Sequence, residues 1–273
     1  MTSAAVETSI HPTALVDPRA KLASGVAIGP FSVIGPEVQI GAGSRIGPHV
    51  VIEGRVRMGA RNRVFPGACI GLEPQDLKYN GAPTEVVLGD DNTIRECVTI
   101  NRATADGEKT RLGSGNLLMA YCHVGHNCEL GDGIVVANSV AIAGHVVIGD
   151  RAVIGGVLGI HQFVHIGTLA MVGGMSRIDR DVPPFAIVEG HPGRLRGLNR
   201  IGLRRSGLAE RAAGAELKQL QDVWNRLYRG DEVLVQALAR IRQEELMPAA
   251  EELCSFLEAS ITPGRRGPLP PHR

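Results

Sequence analysis

Aromatic side chains are almost missing from this chain: Phe, Tyr and Trp make up 3% of its 273 residues, with a single Trp. A core of stacked rings is excluded. With 44% hydrophobic residues and 35 glycines, the interior has to be built from small and β-branched side chains at close spacing. Net charge is almost missing too. At +1 there is no bulk attraction for nucleic acid or an anionic membrane, so an anionic partner has to be met by a local patch. The cysteines Cys69, Cys97, Cys122, Cys128 and Cys254 lack the paired spacing of a zinc ribbon or a disulfide framework, which fits a reducing compartment. No stretch approaches the length of a membrane span, and the first residues lack a basic start followed by an apolar run. A cytoplasmic protein is expected, with no nucleic-acid partner and no stable membrane insertion. Its length suits one large domain plus a smaller one.

What the chain does have is a period of six. An aliphatic residue recurs at every sixth position from Ile10 to Ile70, eleven in a row, with Met58 standing in once. The period returns at Leu88, Ile94 and Ile100, and then runs unbroken through twelve positions from Leu112 to Ile178. Most of these residues are followed by Gly, and the fifth position of each hexad is usually small or β-branched. Six is not a multiple of 3.6, so no amphipathic helix keeps them on one face; three short strands per eighteen-residue coil do. The expected fold is mainly β: a parallel β-helix of hexapeptide repeats over residues 1–190, with glycine giving each corner its positive φ. Two segments interrupt the pattern, 71–87 and 103–111, without changing the register, and read as loops extruded from a continuous prism. Such loops are where a repeat scaffold places an asymmetric site. After Pro184 the spacing of Leu, Val, Ile and Trp becomes three and four, which predicts an α-helical domain over 191–262. The Pro- and Gly-rich residues 263–273 read as a disordered tail.

Coil arithmetic locates the chemistry. His123, His126, His145, His161 and His165 fall close together in the later coils. Steps of eighteen from His126 reach Gly144 and Gln162, so these three stack as one column, with His145 and His161 flanking it and His123 half a hexad before His126. A glycine above a histidine leaves an approachable N–H, as an oxyanion hole needs. Histidine titrates near neutrality and suits a general base. Any one of these histidines alone is an idle corner residue; the column as a set argues for a site. No nucleophile elbow or Walker loop is present, and the GxG strings are corners. A second feature is basic: Arg194, Arg196, Arg200, Arg204 and Arg205 stand within twelve residues with no acid among them. Guanidinium groups match phosphate geometry, and such a patch also steers an acidic protein partner; its plainer reading is a solvated helix start.

With HVGHNC, IAGHV, IHQF and QDLKY in view, the chain resembles the UDP-N-acetylglucosamine O-acyltransferases of lipid A biosynthesis, from the IHPTA start into the helical domain. The resemblance implies a left-handed β-helix and a homotrimer with sites in clefts between subunits. It implies transfer of a 3-hydroxyacyl group from acyl carrier protein, where phosphopantetheine bears it, to the 3-hydroxyl of a UDP-amino sugar, with no other cofactor and no metal. It makes His126 the base and the Gly144 N–H the oxyanion donor. His123, His145, His161 and Gln162 line the site, Asp76 and Lys78 reach the sugar and the acyl or phosphate groups, and Asn199 and Arg205 hold the UDP. Gly174 matches a position where a larger residue shortens the acyl pocket, which favours a longer hydroxyacyl chain. Three residues depart from the family pattern. Asn127 stands where some members orient the histidine with aspartate, Asn101 replaces a histidine, and His191 replaces an asparagine.

Other readings stay open on the residues alone. One is an acyltransferase acting on a 3-amino UDP-sugar. Another is a metal-dependent hydratase resembling the γ-type carbonic anhydrases, which would leave the Asp76/Lys78 loop and the arginines unused. A third is a scaffold that only binds sugar nucleotides.

Overall fold

The computed structural model describes residues 7–271; residues 1–6 of the expected β-helix and 272–273 of the expected tail lie outside the described residues. Strands of two to four residues wind into a triangular prism with three walls. Wall A starts at Ser9–Ile10, wall B runs in nine strands from Leu15–Val16 to Arg177–Ile178, and wall C in eight from Lys21–Leu22 to His165–Ile166. Where no loop intervenes, parallel partners lie one coil apart: Ala27 pairs with Arg45, Val33 with Val51 and His123 with Ala141. The sixth-position aliphatics point inward from Ile28 to Ile178, and the fifth-position residues, such as Val26, Val38 and Val50, are buried with them. Burying each large aliphatic stabilises the fold by about 1.5–3 kcal/mol, so a stack of this length needs neither rings nor disulfides.

Glycine serves a different purpose from the one expected of it. At the corners the left-handed residue mostly bears a side chain, as at Asn127 (φ 60°), His145 (φ 59°) and Phe163 (φ 68°) on successive coils. The glycine after the aliphatic is needed for space instead. A Cβ at Gly41 would lie 2.4 Å from the carbonyl carbon of Gly59 on the next coil, and one at Gly29 would lie 2.7 Å from that of Gly47. Polar groups inside the prism are paired by stacking. The buried Asn62 accepts from the Asn92 N–H at 2.9 Å, Asn92 accepts from the Asn116 N–H at 2.9 Å, and Asn116 accepts from the Ile134 N–H at 2.7 Å. No buried amide in this ladder is left unmatched, which is the condition for burying it at all.

Both extruded loops leave the prism at the same corner. The first connects Cys69–Leu72 of wall B to Glu85–Leu88 of wall C, and the second connects Thr99–Asn101 to Lys109–Leu112, again from B to C. The ends of the expected loops are therefore strand. Leu88 pairs with Met58 and Leu112 with Leu88, so wall C continues in phase through both insertions.

Sheet structure also continues past residue 190. Ala186–Glu189 closes wall A in parallel, and Arg194–Leu198 turns back on it antiparallel, ending the sheet. The helices follow: α1 (Arg200–Arg205), α2 (Ala215–Tyr228), α3 (Leu234–Ile241) and α4 (Pro248–Ser260), with a 3-10 turn at Leu208–Gly214. Leu220, Val223 and Trp224 of α2, Leu238 and Ile241 of α3, and Leu253 and Leu257 of α4 form their common core. The expected disordered tail is ordered as far as it is described. Leu269 is buried, its N–H donates to the Asp181 carbonyl at 2.8 Å, the Leu195 N–H donates to the Pro270 carbonyl at 3.1 Å, and Arg265 pairs with Asp181 at 2.8 Å. Composition rich in Pro and Gly excludes a helix there, but it does not prevent an extended strap from pairing with a sheet edge.

The spacing constraint predicts that Gly41→Ala lowers stability by about 2 kcal/mol or more, because backbone rather than a movable side chain stands in the way. Gly159→Ala, where a Cβ would meet nothing within 4 Å, leaves the thermal midpoint unchanged or slightly raised. Thermal unfolding of the two variants beside the parent checks this.

Candidate active site

The B–C corner that releases both loops carries the histidine column above them. His126 follows the wall B strand His123–Val124 and turns the chain toward Glu129–Leu130 of wall C. On the coils above, the His145 N–H donates to the His126 carbonyl at 2.9 Å and the Phe163 N–H to the Gly144 carbonyl at 3.2 Å, so the stacking expected from steps of eighteen is realised. His126 is 8% exposed, and its imidazole lies across Gly144. A Cβ on Gly144 would stand 2.4 Å from the ring's Cε1 and 2.5 Å from Nε2, so the missing side chain is what gives the imidazole its place. The Gly144 N–H has no acceptor among the described residues.

Hydrogen bonding fixes the ring's tautomer. The Oδ1 of Asn127 accepts from the Thr104 N–H at 3.2 Å, and the amide nitrogen of Asn127 donates to Glu108 Oε2 at 2.7 Å. The oxygen of that amide therefore faces His126, and Nδ1, 3.0 Å away, is the ring nitrogen that carries hydrogen. In the neutral ring Nε2 is then the nitrogen with the lone pair, and it lies 3.7 Å from Asp76 Oδ2 in the first loop. His145 meets the His126 ring edge-on at 5.1 Å and stacks on Phe163 at 4.8 Å.

Loop one is braced from below. The Arg102 guanidinium donates to the Tyr79 hydroxyl at 2.9 Å, to the Gly71 carbonyl at 3.0 Å and to Glu73 at 3.1 Å. Asn101, in place of the family's histidine, donates to the Glu73 carbonyl at 2.8 Å. Both residues hold the segment that presents Asp76, whose own Oδ1 accepts from the Lys78 N–H at 2.9 Å.

The corner gathers His126, Gly144, His145 and Asp76. His123 sits beside them on wall B, its Nδ1 2.7 Å from Thr99 Oγ1. Lys78 is exposed on loop one. His161 and Gln162 lie higher on the corner, where the C-terminal strap brings Arg266 to 3.3 Å from His161 Nε2. Gly174 is elsewhere: it lies between Met171–Val172 of wall A and Arg177–Ile178 of wall B, at the A–B corner. Between these two corners, wall B presents the in-register column His123, Ala141, Gly159 and Arg177. Asn199 is buried as the N-cap of α1, accepting from the Gly202 N–H and donating to the Leu169 carbonyl, both at 2.9 Å, so both of its polar atoms are already engaged within the chain. Arg205 is exposed at the end of α1, and neither it, Arg200 nor Arg204 forms an ion pair among the described residues.

Sequence reasoning did not find Glu108, Thr99, Thr104 or Arg102. Position in an extruded loop was a signal for Glu108, but nothing in the hexad pattern says where a loop side chain folds back.

A buried imidazole over a bare backbone N–H, on a prism of hexapeptide coils, defines a hexapeptide-repeat transferase. Two family models match: "Bacterial transferase hexapeptide (six repeats)" over residues 19–54 and 109–144, and "Udp N-acetylglucosamine O-acyltransferase; Domain 2" over 181–268. The chain is 48% identical over 255 residues to an acyl-[acyl-carrier-protein]--UDP-N-acetylglucosamine O-acyltransferase of Alkalilimnicola ehrlichii, covering 93% of this chain and 97% of that one. It is 59% identical over 206 residues to that of Rippkaea orientalis, covering 75% and 73%. The solved UDP-N-acetylglucosamine O-acyltransferase of Moraxella catarrhalis RH4 superposes with a TM-score of 0.87 at 37% identity, over 95% of this chain and 99% of that one. The chain belongs to the UDP-N-acetylglucosamine O-acyltransferase family. It is an O-acyltransferase, its β-helix is left-handed, and the hydratase and scaffold alternatives fall away.

Burial holds His123, His145 and His165 below the usual histidine value of 6.5, His165 also through the Arg265 guanidinium. The unfolded chain therefore binds more protons than the folded one once pH drops below 6.5. Stability is retained above that value and lost progressively as pH falls through the folded values. The thermal midpoint should fall as pH drops below 6.5, and His123→Gln and His165→Gln should each flatten that slope. Carboxylates held low, such as Glu108, lose their contribution only in a more acidic window, below the usual 4.5.

Proposed function

We propose that this enzyme transfers a 3-hydroxyacyl group from acyl carrier protein to the 3-hydroxyl of UDP-N-acetylglucosamine, the opening step of lipid A biosynthesis, in the cytoplasm. The observation that carries the mechanism is the His126 ring laid over Gly144, with Nδ1 held by Asn127 and Nε2 turned toward Asp76. Nε2 takes the proton of the sugar hydroxyl as its oxygen attacks the thioester carbonyl carbon. The oxyanion that forms is met by the Gly144 N–H. As the intermediate collapses, the carbon–sulfur bond breaks, and the phosphopantetheine sulfur leaves with the proton carried by the imidazolium. Asp76 orients the sugar, and the remaining residues of loop one, including Lys78, meet the rest of the substrate.

His123, His145, His161 and Gln162 line the path of nucleotide sugar and acyl chain. The chain runs over Ala141 and Gly159, where wall B has little side chain, toward Gly174, whose lack of a side chain suits a longer hydroxyacyl group. Arg205 holds the UDP together with its neighbouring arginines. Asn199, spent as a helix cap, acts by placing α1. A homotrimer fits the exposed A–B corner column Tyr121, Ser139, Val157 and Met175, apolar on three of its four coils, which a second copy would cover.

Mass analysis of products formed from UDP-N-acetylglucosamine and a panel of hydroxyacyl carrier proteins identifies donor, acceptor and bond type together. An amide product from a 3-amino sugar, with no ester formed, would overturn the assignment. His126→Ala should lower kcat by about a hundredfold or more while the fold is retained. In the same assay Gly174→Met should move the preference to a shorter chain, since a Cβ there already stands 3.2 Å from the Gly156 carbonyl oxygen.

A further inference from the structure

Asn127 is neutral where a carboxylate would orient the base, yet a carboxylate is present one residue further out. Oδ1 of Asn127 lies 3.0 Å from His126 Nδ1 and also accepts from the Thr104 hydroxyl at 3.0 Å; its amide nitrogen donates to Glu108 at 2.7 Å. We infer that Glu108 is a positioning residue for the reaction, acting through Asn127 to hold the Nδ1–H tautomer of His126 and to stabilise its protonated form. The inference rests on His126 being the base.

Three observations carry it. The relay is continuous, His126 Nδ1–H to Asn127 oxygen and Asn127 N–H to Glu108 oxygen, so the anion polarises the amide in the sense that strengthens its oxygen as an acceptor. Glu108 is itself fixed, accepting from the Ala105 N–H at 3.0 Å, and Asn127 is fixed through its own N–H to Thr110 Oγ1 at 2.9 Å. The charges around the ring are otherwise placed on other sides: Asp76 faces Nε2, while His123 and His145 carry no negative charge. Lys109, next to Glu108, is engaged by Glu85 at 2.9 Å. Glu108 is therefore the carboxylate on the Nδ1 side, delivered by the second loop to the base of the corner above.

The carboxylate reaches solvent, so its effect is screened and moderate. Glu108→Gln keeps an acceptor for Asn127 and removes the charge. With the full-length protein, hydroxyacyl carrier protein and UDP-N-acetylglucosamine, it should lower kcat about tenfold with KM little changed. The same variant should move the acid limb of kcat/KM to lower pH by a few tenths to about one unit, because losing an anion disfavours the imidazolium. Asn127→Asp, which puts a carboxylate directly against Nδ1, moves the limb the opposite way. A Glu108→Gln enzyme with parental kcat and an unmoved limb overturns the relay, as does a loss confined to KM and thermal midpoint. Running His126→Ala in parallel separates the two claims: if it is inactive while Glu108→Gln is silent, only the relay fails, and if it stays active, the base assignment fails and takes the relay with it.

Discussion

One spacing governs this molecule: coils stack at about 4.8 Å, the distance between hydrogen-bonded strands, and every position has to fit against its counterpart eighteen residues away. The constraint is steric first. Where the chain turns after each aliphatic, the backbone of one coil comes so near the next that a methyl group has no room, as at Gly41 over Gly59. It is also a device for pairing polar groups, since an amide stacked on an amide finds its donor in the coil above, as the Asn62, Asn92 and Asn116 ladder shows. At His126 the same two consequences coincide. Glycine at 144 leaves the space in which the imidazole lies, and its own N–H is left without an acceptor among the described residues.

Stacking is uniform along the prism, so asymmetry has to be added to it. Both insertions are made at one corner, and both fold back onto the coil that carries His126: the first brings Asp76 toward Nε2, the second brings Glu108 and Thr104 to Asn127. The first loop is held by Asn101 and Arg102 of the next coil, and the second by its own turn at Ala105 and by Asn127 of the coil above. A rigid lattice thus supplies the position of the imidazole, and two short excursions supply the groups on either side of it. Loops lacking regular structure can be this well defined because each is anchored to strands that cannot move relative to one another.

The fold was legible in the sequence because the period of six is a property of side chains that all have to point inward. The column through His126, Gly144 and the Gln162–Phe163 corner was legible for the same reason. What the pattern did not carry was anything decided off the lattice. Counting in eighteens cannot say that Glu108 returns to Asn127, because a loop residue has no counterpart one coil away. It also cannot separate two reasons for a glycine: the corner φ was the expected one, whereas close approach of the next backbone is the one found after the aliphatics, and Asn127, His145 and Phe163 take the left-handed corners. Composition misled at the end of the chain, where a Pro- and Gly-rich segment pairs with Asp181 and Leu195 and buries Leu269.

That segment bears on the site, since it lies on the same edge. Arg265 meets Asp181 and approaches His165 Nε2 at 3.3 Å, and Arg266 approaches His161 Nε2 at the same distance, so the upper end of the histidine corner is flanked by guanidinium groups. The lower end is flanked by the carboxylates of Asp76 and Glu108. Carboxylates thus stand at one end of this edge and guanidinium groups at the other, Arg265 paired with Asp181 and Arg266 beside His161. Bulk charge gives no hint of it, because net charge carries no information about where charges lie. In a repeat protein such an arrangement has to come from what departs from the repeat, and here it comes from two loops at one end of the edge and a terminal strap at the other.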